Sequence, residues 1–243
     1  MLAQLLRAPR RPQLLRALST ASVNPSPAFL RGLEELEDGK LAEAIDTFAG
    51  AAAEGCADGN FYLGLAYDGL LGRDAADELP VEPDAAAAFR CYERAAGTGH
   101  AMAMLNLSLC YRNGDGVEAP DVAKAFDWLT RSAAAGSDRA QFNAGVALDP
   151  LHPPYEGRAG SNAVKKDAAR AVEFYRQAAD QGHGKAMTNL GVALYTGTGC
   201  EKDAAAAKEL WVAAEELGVE QATFCLNNME DNPGRMEKLI HDD

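Results

Sequence analysis

The sequence predicts an all-α protein, an α-solenoid of stacked antiparallel helical hairpins, and two features of the 243-residue chain support this. A glycine that follows a run of small residues recurs at intervals of 44, 37, 46 and 36 residues, and large and small residues keep fixed positions around each copy. Such periods are typical of stacked helical hairpins, because one hairpin cannot bury its apolar face alone. The five repeated glycines are Gly55, Gly99, Gly136, Gly182 and Gly218.

The residues around each repeated glycine predict two closely packed helices. A large side chain lies seven residues before the glycine, and small residues lie four before it and four after it. Such offsets place side chains on one helix face, and the glycine suits the left-handed position that ends a helix. Gly64, Gly145 and Gly191 fall inside predicted helices, where glycine costs roughly 1 kcal/mol relative to alanine. We therefore expect a neighbouring helix to approach closely at these three positions.

Two stretches resemble a known repeat family. Residues 103–117 read AMLNLSLCYRNGDGV, and residues 169–191 read ARAVEFYRQAADQGHGKAMTNLG. Both resemble Sel1-like repeats, a subclass of the tetratricopeptide-like repeats, and the resemblance covers about residues 43–228. It implies a helical solenoid. Relatives of this kind hold peptides in a concave groove, and some have been described as penicillin-binding or β-lactamase-like.

The predicted organisation has three parts. Residues 1–27 form a transit peptide or disordered arm, residues 28–230 the repeat domain, and residues 231–243 a C-terminal cap or tail. A first hairpin has helices near 28–38 and 41–54, and a short helix is expected at 235–241. Four full repeats follow that first hairpin. They are 57–100 and 138–183, here called the long repeats, and 101–137 and 184–219, the short repeats.

Each long repeat has an insertion between its two predicted helices, at about 73–83 in the first and 149–165 in the second. Insertions in repeat proteins map to loops on one edge and often carry partner contacts. The alternative is tolerated surface variation, since lengthening a loop costs little entropy. The second insertion contains Tyr155 and Arg158, which we expect to contact a partner, whereas the acidic first insertion is expected to be solvated.

Charge and composition predict an imported organellar protein. The formal net charge is −13, yet no acidic residue precedes Glu34, and the first 28 residues are rich in Arg, Leu and Ser. This composition is typical of a transit peptide, and Arg16-Ala17-Leu18-Ser19 resembles a mitochondrial processing site. We expect the mitochondrial matrix, with the plastid as alternative. Cleavage after Leu18 would remove four arginines, leaving 19 basic against 36 acidic residues, a charge of −17.

The charge, the length of the apolar runs and the spacing of the cysteines also limit the kinds of partner and binding site that we expect. Strong negative charge disfavours direct nucleic-acid binding, and no apolar run is long enough to predict a membrane span. The cysteines form no C-x-x-C pair and no His/Cys cluster, so we expect free thiols in a reducing compartment, and no metal or cofactor. Cys91 and Cys200 occupy core positions of the repeat. The five cysteines are Cys56, Cys91, Cys110, Cys200 and Cys225.

Asparagines recur seven residues after three of the repeated glycines, at Asn106, Asn143 and Asn189, and Tyr62 takes this position in the first full repeat. On the first helix of each hairpin this position should face the concave groove. Amides carry donors and an acceptor, so a ladder of them could pair with an extended peptide. Alternatively, each asparagine bonds a neighbouring backbone and sets the stacking of repeats, because buried polar groups are normally satisfied internally.

No arrangement of nucleophile, base and acid stands out in the sequence, and the S-x-x-K motif of serine β-lactamases is absent. Neither glycine-rich turn, at 114–116 or 197–199, has the lysine and preceding strand of a phosphate loop. We therefore expect a non-enzymatic scaffold or assembly factor that binds a protein or extended peptide. The alternatives are a hydrolase of the β-lactamase-like kind, by family analogy alone, and a permanent structural subunit of a large organellar complex.

Overall fold

The structure is a computed structural model that describes residues 25–71, 81–152 and 164–229. All regular secondary structure in these ranges is α-helical, which confirms the predicted fold class. The helices are α1 (Pro27–Glu37), α2 (Leu41–Ala53), α3 (Ala57–Tyr67), α4 (Ala85–Gly97), α5 (Ala101–Asn113), α6 (Val122–Ala134), α7 (Asp138–Leu148), α8 (Ala168–Asp180), α9 (Gly184–Thr196), α10 (Ala204–Glu216) and α11 (Glu220–Met229).

The chain divides into two compact units, residues 1–120 with helices α1–α5 and residues 121–243 with helices α6–α11. In the first unit Phe29, Phe48 and Tyr92 are completely buried. In the second, Tyr175 and Trp211 take the same role, with alanines filling the space around them. Each unit therefore has its own apolar core, in which Phe48, Tyr92, Tyr175 and Trp211 are the large residues that the repeat pattern places seven before a repeated glycine.

The five repeated glycines end helices as predicted. Their φ angles lie between 78° and 95°, the left-handed region that glycine adopts without strain. At Gly55 the backbone N–H donates to the carbonyl of Ala52, and the N–H of Cys56 donates to that of Ala51, both at 3.0 Å. This pair of bonds satisfies carbonyls that the end of α2 would otherwise leave open.

The mid-helix glycines lie where rings cross the helix, as the sequence predicts. A Cβ on Gly64 in α3 would lie 2.5 Å from the Tyr92 ring of α4, and one on Gly145 in α7 would lie 2.5 Å from the Tyr175 ring of α8. Gly191 in α9 is covered in the same way by Trp211 of α10. The first hairpin repeats this arrangement with Gly32 beneath Phe48, so it is built like a full repeat.

In every full repeat a side chain caps the N-terminus of each helix. The first helix of each hairpin from α3 to α9 is capped by the residue just after the repeated glycine: Cys56, His100, Ser137 and His183. His100 and His183 cap their helices through the ring, since each Nδ1 accepts a backbone N–H. The second helices are capped by aspartates: Asp84, Asp121, Asp167 and Asp203.

The insertions leave the hairpin itself unchanged. In the first long repeat the N–H of Asp84 donates to the carbonyl of Tyr67 at 3.0 Å, and in the second the N–H of Asp167 donates to that of Leu148 at 2.8 Å. The short repeat 184–219 has the same bond, from Asp203 to Leu194, at 2.9 Å. Since one bond joins the two helices whatever lies between them, extra residues can be accommodated without moving the core.

Candidate functional site

A cluster of polar side chains lies at the base of the second insertion. Tyr175 of α8 donates its hydroxyl to Asp149 Oδ2 at 3.0 Å, and Asp149 Oδ1 accepts the N–H of Leu151 at 2.9 Å. Asp149 ends α7 and is only 6% exposed, so these donors stabilise a carboxylate that has little contact with water. His152 Nε2 lies 3.8 Å from Asp149 Oδ2.

Helix α9 and the loop that precedes α8 also contribute to this cluster. The Asn189 amide of α9 lies 3.2 Å from His152 Nε2, and the Lys166 amine donates to the His152 carbonyl at 3.1 Å. Burial lowers the pKa of Lys166, and the nearby Asp149 carboxylate partly opposes this effect. Asp149, His152 and Lys166 thus fix both described ends of the insertion against the helices. Most of the 149–165 insertion, including Tyr155 and Arg158, lies outside the described residues.

The first long repeat has the same arrangement. Tyr92 of α4 donates its hydroxyl to Asp68 Oδ2 at 2.5 Å, and the Asn106 side chain of α5 lies near this hydroxyl. Burial, followed by the charge of Asp68, raises the pKa of Tyr92 far above its usual value. The sequence analysis missed both aspartates, although a signal exists, because Asp68 and Asp149 lie thirteen residues after their glycines only in the repeats with insertions.

The structure gives the three predicted asparagines different surroundings. Asn106 lies near the Tyr92 hydroxyl, and Asn189 is hydrogen-bonded to His152, so both are close to the points where the insertions leave the helices. Asn143 of α7 is half-buried, and its side chain makes no hydrogen bond to the described residues of the chain. Tyr62, proposed at the equivalent position, is only 4% exposed and packs against Phe29 and Phe48, so it offers little surface to a partner.

A buried polar pair that sequence reasoning missed lies in the first unit. His100 Nε2 is 3.3 Å from Asp58 Oδ1, and both side chains are 1% exposed. Because His100 Nδ1 accepts the N–H of Ala103, Nε2 is the ring nitrogen that lies beside the carboxylate, at a distance of an ion pair but without the geometry of a hydrogen bond. The ring also stacks on Phe61 with centroids 4.6 Å apart. Asp58 lies within the first turn of α3, where an acidic residue looks like an ordinary helix start in the sequence.

Apart from Cys56, which caps α3, the cysteines behave as packing residues. Cys91, Cys110 and Cys225 are buried, and burial raises the pKa of each thiol, to about 12 for Cys110 and about 11 for Cys225. Cys200 is half-buried against the core of the second unit. Within the described ranges no three His, Cys, Asp or Glu side chains are placed to hold a metal ion. No helix of the described chain is both long and apolar enough to cross a membrane.

Comparison with known proteins agrees with this architecture. The family model described as Sel1 repeat matches residues 57–100, 101–137, 139–183 and 184–219. Among solved structures, a Sel1 repeat protein from Oxalobacter formigenes is 26% identical, with a TM-score of 0.67, covering 81% of this chain and 73% of that one. A protective antigen from uropathogenic Escherichia coli that displays an SLR fold is 23% identical, with a TM-score of 0.47, covering 93% of this chain and 54% of that one. A search of curated proteins finds no significant match.

The family match also indicates a general class of activity. Sel1 repeat proteins generally mediate protein–protein interactions, and the family typically acts as a non-catalytic scaffold. The match starts at Ala57, and the structure adds a further hairpin, α1–α2, with the same glycine-and-ring packing. With four matched repeats over most of its length, this chain belongs to the Sel1 repeat family.

Proposed function

We propose that this protein is a non-enzymatic scaffold or assembly factor of the mitochondrial matrix that binds a protein partner through an extended segment. The import part of the proposal is supported by the acid-free, arginine-bearing start of the sequence. The binding part is supported by membership of a family of interaction scaffolds. The cysteines are free thiols, which suits a reducing compartment.

One observation supports the choice of Asn143 as the binding residue. In the long repeat 138–183 the polar side chains around the insertion are bonded to one another, whereas the half-buried Asn143 amide has no bond to a described residue. A half-buried amide without a protein partner can bond the backbone of an incoming segment without first breaking an internal bond. Asn143 is therefore the peptide-contacting residue of the proposed ladder, and Asn106 and Asn189 position the insertions.

The test compares three single substitutions in affinity capture from isolated mitochondria, read out by mass spectrometry. Asn143→Ala should reduce capture of the partner about tenfold, as expected for one lost hydrogen bond, and leave the melting temperature unchanged. Asn106→Ala and Asn189→Ala serve as matched controls. They remove a contact near Tyr92 and a hydrogen bond to His152, so they should lower the melting temperature.

Undiminished capture by Asn143→Ala would overturn the assigned contact. Failure of the full chain to enter isolated mitochondria in an import assay would overturn the localisation separately. Quantitative co-migration with one large complex, resistant to salt, would instead favour a permanent structural subunit.

A further inference from the structure

Two basic side chains of the second unit occupy the same register of the repeat. Arg139 of α7 and Lys185 of α9 each lie three residues after a repeated glycine and are the second residue of their helix. Asn143 and Asn189 follow four residues later, so each cation lies on the same face of its helix as one of the predicted asparagines. In the first unit this register holds no basic residue, so the arrangement belongs to the second unit alone.

Both cations lie near one histidine ring. His183, which caps α9, stacks on Phe142 of α7 with ring centroids 4.7 Å apart, so the N-terminal part of α7 lies beside the start of α9. Burial lowers the pKa of His183, and the charges of Arg139 and Lys185 add to this effect, while Asp138 opposes it. Two positive charges and one negative charge therefore surround this ring.

Helix stability does not explain these two cations. The helix dipole favours an acidic side chain in the first turn and disfavours a basic one, and in α3 the same register holds Asp58. Neither Arg139 nor Lys185 forms an ion pair with a described residue of this acid-rich chain. Arg139 is half-buried and Lys185 is exposed, so an anionic group of another molecule can reach both.

We propose that Arg139 and Lys185 bind carboxylates of the same extended segment that Asn143 contacts, which makes the partner segment acidic; this assignment rests on the proposed function. The Asn143 amide bonds a peptide backbone, which every sequence supplies, whereas the two cations select for acidic side chains. Charge complementarity of this kind chooses among partners and speeds their association more than it adds to affinity.

The experiment uses the full chain and measures, by fluorescence anisotropy, the binding of labelled dodecapeptides in which serine alternates with glutamate or with glutamine. The parent protein should bind the glutamate peptide about tenfold more tightly at physiological ionic strength, and added salt should reduce this preference. Arg139→Glu and Lys185→Glu should each weaken binding of the glutamate peptide about fivefold, because each removes one ion pair and adds a repulsion. Neither should change binding of the glutamine peptide.

Lys208→Glu is the matched control, because it changes the net charge equally at an exposed lysine of α10 and should leave the preference for glutamate unchanged. Arg139→Glu and Lys185→Glu place an acidic residue in the first turn of a helix, so both should keep or raise the melting temperature while they weaken binding. Arg139→Gln preserves most of the half-buried side chain and should weaken binding of the glutamate peptide about threefold.

No measurable binding of the glutamate peptide, equal affinities for the two peptides, or an equal loss in Lys208→Glu would overturn the proposal. If the two affinities are equal and Asn143→Ala weakens both, the proposed function stands and only the acidic preference is wrong. If Asn143→Ala weakens neither, the proposed contact fails as well. Tighter binding of a single-stranded oligothymidylate than of the glutamate peptide would overturn the proposal in favour of a nucleic acid.

Discussion

The two long repeats, 57–100 and 138–183, share one plan and differ in how each closes around its histidine. In both, the histidine caps a helix and stacks on a phenylalanine, with His100 on Phe61 at 4.6 Å and His183 on Phe142 at 4.7 Å. His100 is buried against the carboxylate of Asp58, whereas Arg139 occupies the register of Asp58 in the other repeat and His183 stays half-exposed. The stack and the cap are thus common to the two long repeats, and the buried Asp58 side chain is an addition in the first.

The two insertions differ in sequence, but the side chains that lie where each insertion leaves the helices form the same bonds. Tyr92 with Asp68 and Tyr175 with Asp149 make the same hydroxyl–carboxylate bond. A second shared feature is a side-chain amide that bonds the last turn of the preceding helix, from Asn60 to the Ala52 carbonyl and from Gln141 to the Ala133 carbonyl. A long repeat therefore needs fixed polar anchors around a core that the insertion does not alter.

The largest expected effect separates the two histidine environments. Asp58→Ala leaves the His100 Nε2 atom beside a buried cavity and should lower the free energy of unfolding by about 3 kcal/mol or more, the cost of burying a polar group that has lost its neighbour. Arg139→Ala, at the same register of the other long repeat, should change it by less than about 0.5 kcal/mol. Urea denaturation measures both, and equal losses would show that the Asp58 pair adds nothing to the shared plan.

The next effect tests what the long repeats have in common. Gly64→Ala and Gly145→Ala should each cost about 3 kcal/mol, because the new methyl group would lie 2.5 Å from a buried tyrosine ring. Gly50→Ala is the control, since its Cβ meets nothing within 4 Å, and there alanine should stabilise α2 by about 1 kcal/mol. Unequal losses at Gly64 and Gly145 in thermal unfolding would mean that the two cores are packed differently.

A smaller effect is expected when the tyrosines that anchor the two insertions lose their hydroxyl groups. Tyr92→Phe and Tyr175→Phe each remove one hydroxyl from a carboxylate and should cost about 2 kcal/mol, the usual worth of a hydrogen bond to a charged group. Tyr111→Phe, on the short repeat 101–137, is a control for loss of a phenol outside these anchors. Proteolysis should also become faster within 72–80 and 153–163 in the respective variants. Unchanged cleavage would show that the tyrosine hydroxyls do not hold the insertions in place.

The smallest effect is a pH dependence in the second long repeat. Burial lowers the pKa of His183 below its usual value, with Asp138 partly opposing this effect, so the unfolded chain binds a proton more readily than the folded one. The contribution of His183 to stability is complete above about pH 6.5 and is lost as the pH falls from there through the folded pKa. His183→Ser keeps a cap of the kind that Ser137 provides and should flatten this part of a stability–pH curve. A curve identical to that of the parent would assign the dependence to another group.

Much of the fold was predictable because the repeat pattern records local chemistry. The left-handed glycines, the hairpin boundaries and the close approach at Gly64, Gly145 and Gly191 all follow from residue size and backbone preference at fixed spacing. The aspartate caps of the second helices could have been predicted in the same way, since Asp84, Asp121, Asp167 and Asp203 precede helical runs. The partner, the organelle and the role of residues 149–165 remain predictions.

By itself, the sequence determined the hairpin, its period and the positions of its insertions, because these depend on neighbours within one or two helical turns. The tertiary structure decided which polar groups meet across helices. It separated Asn143 from Asn106 and Asn189, buried Tyr62, paired Asp58 with His100 and placed Asp149 beneath Tyr175. The spacing of residues along a helix sets the face on which a side chain lies. The partner of that side chain depends on how closely the next helix packs, and here the crossing rings and the glycines beneath them set that distance.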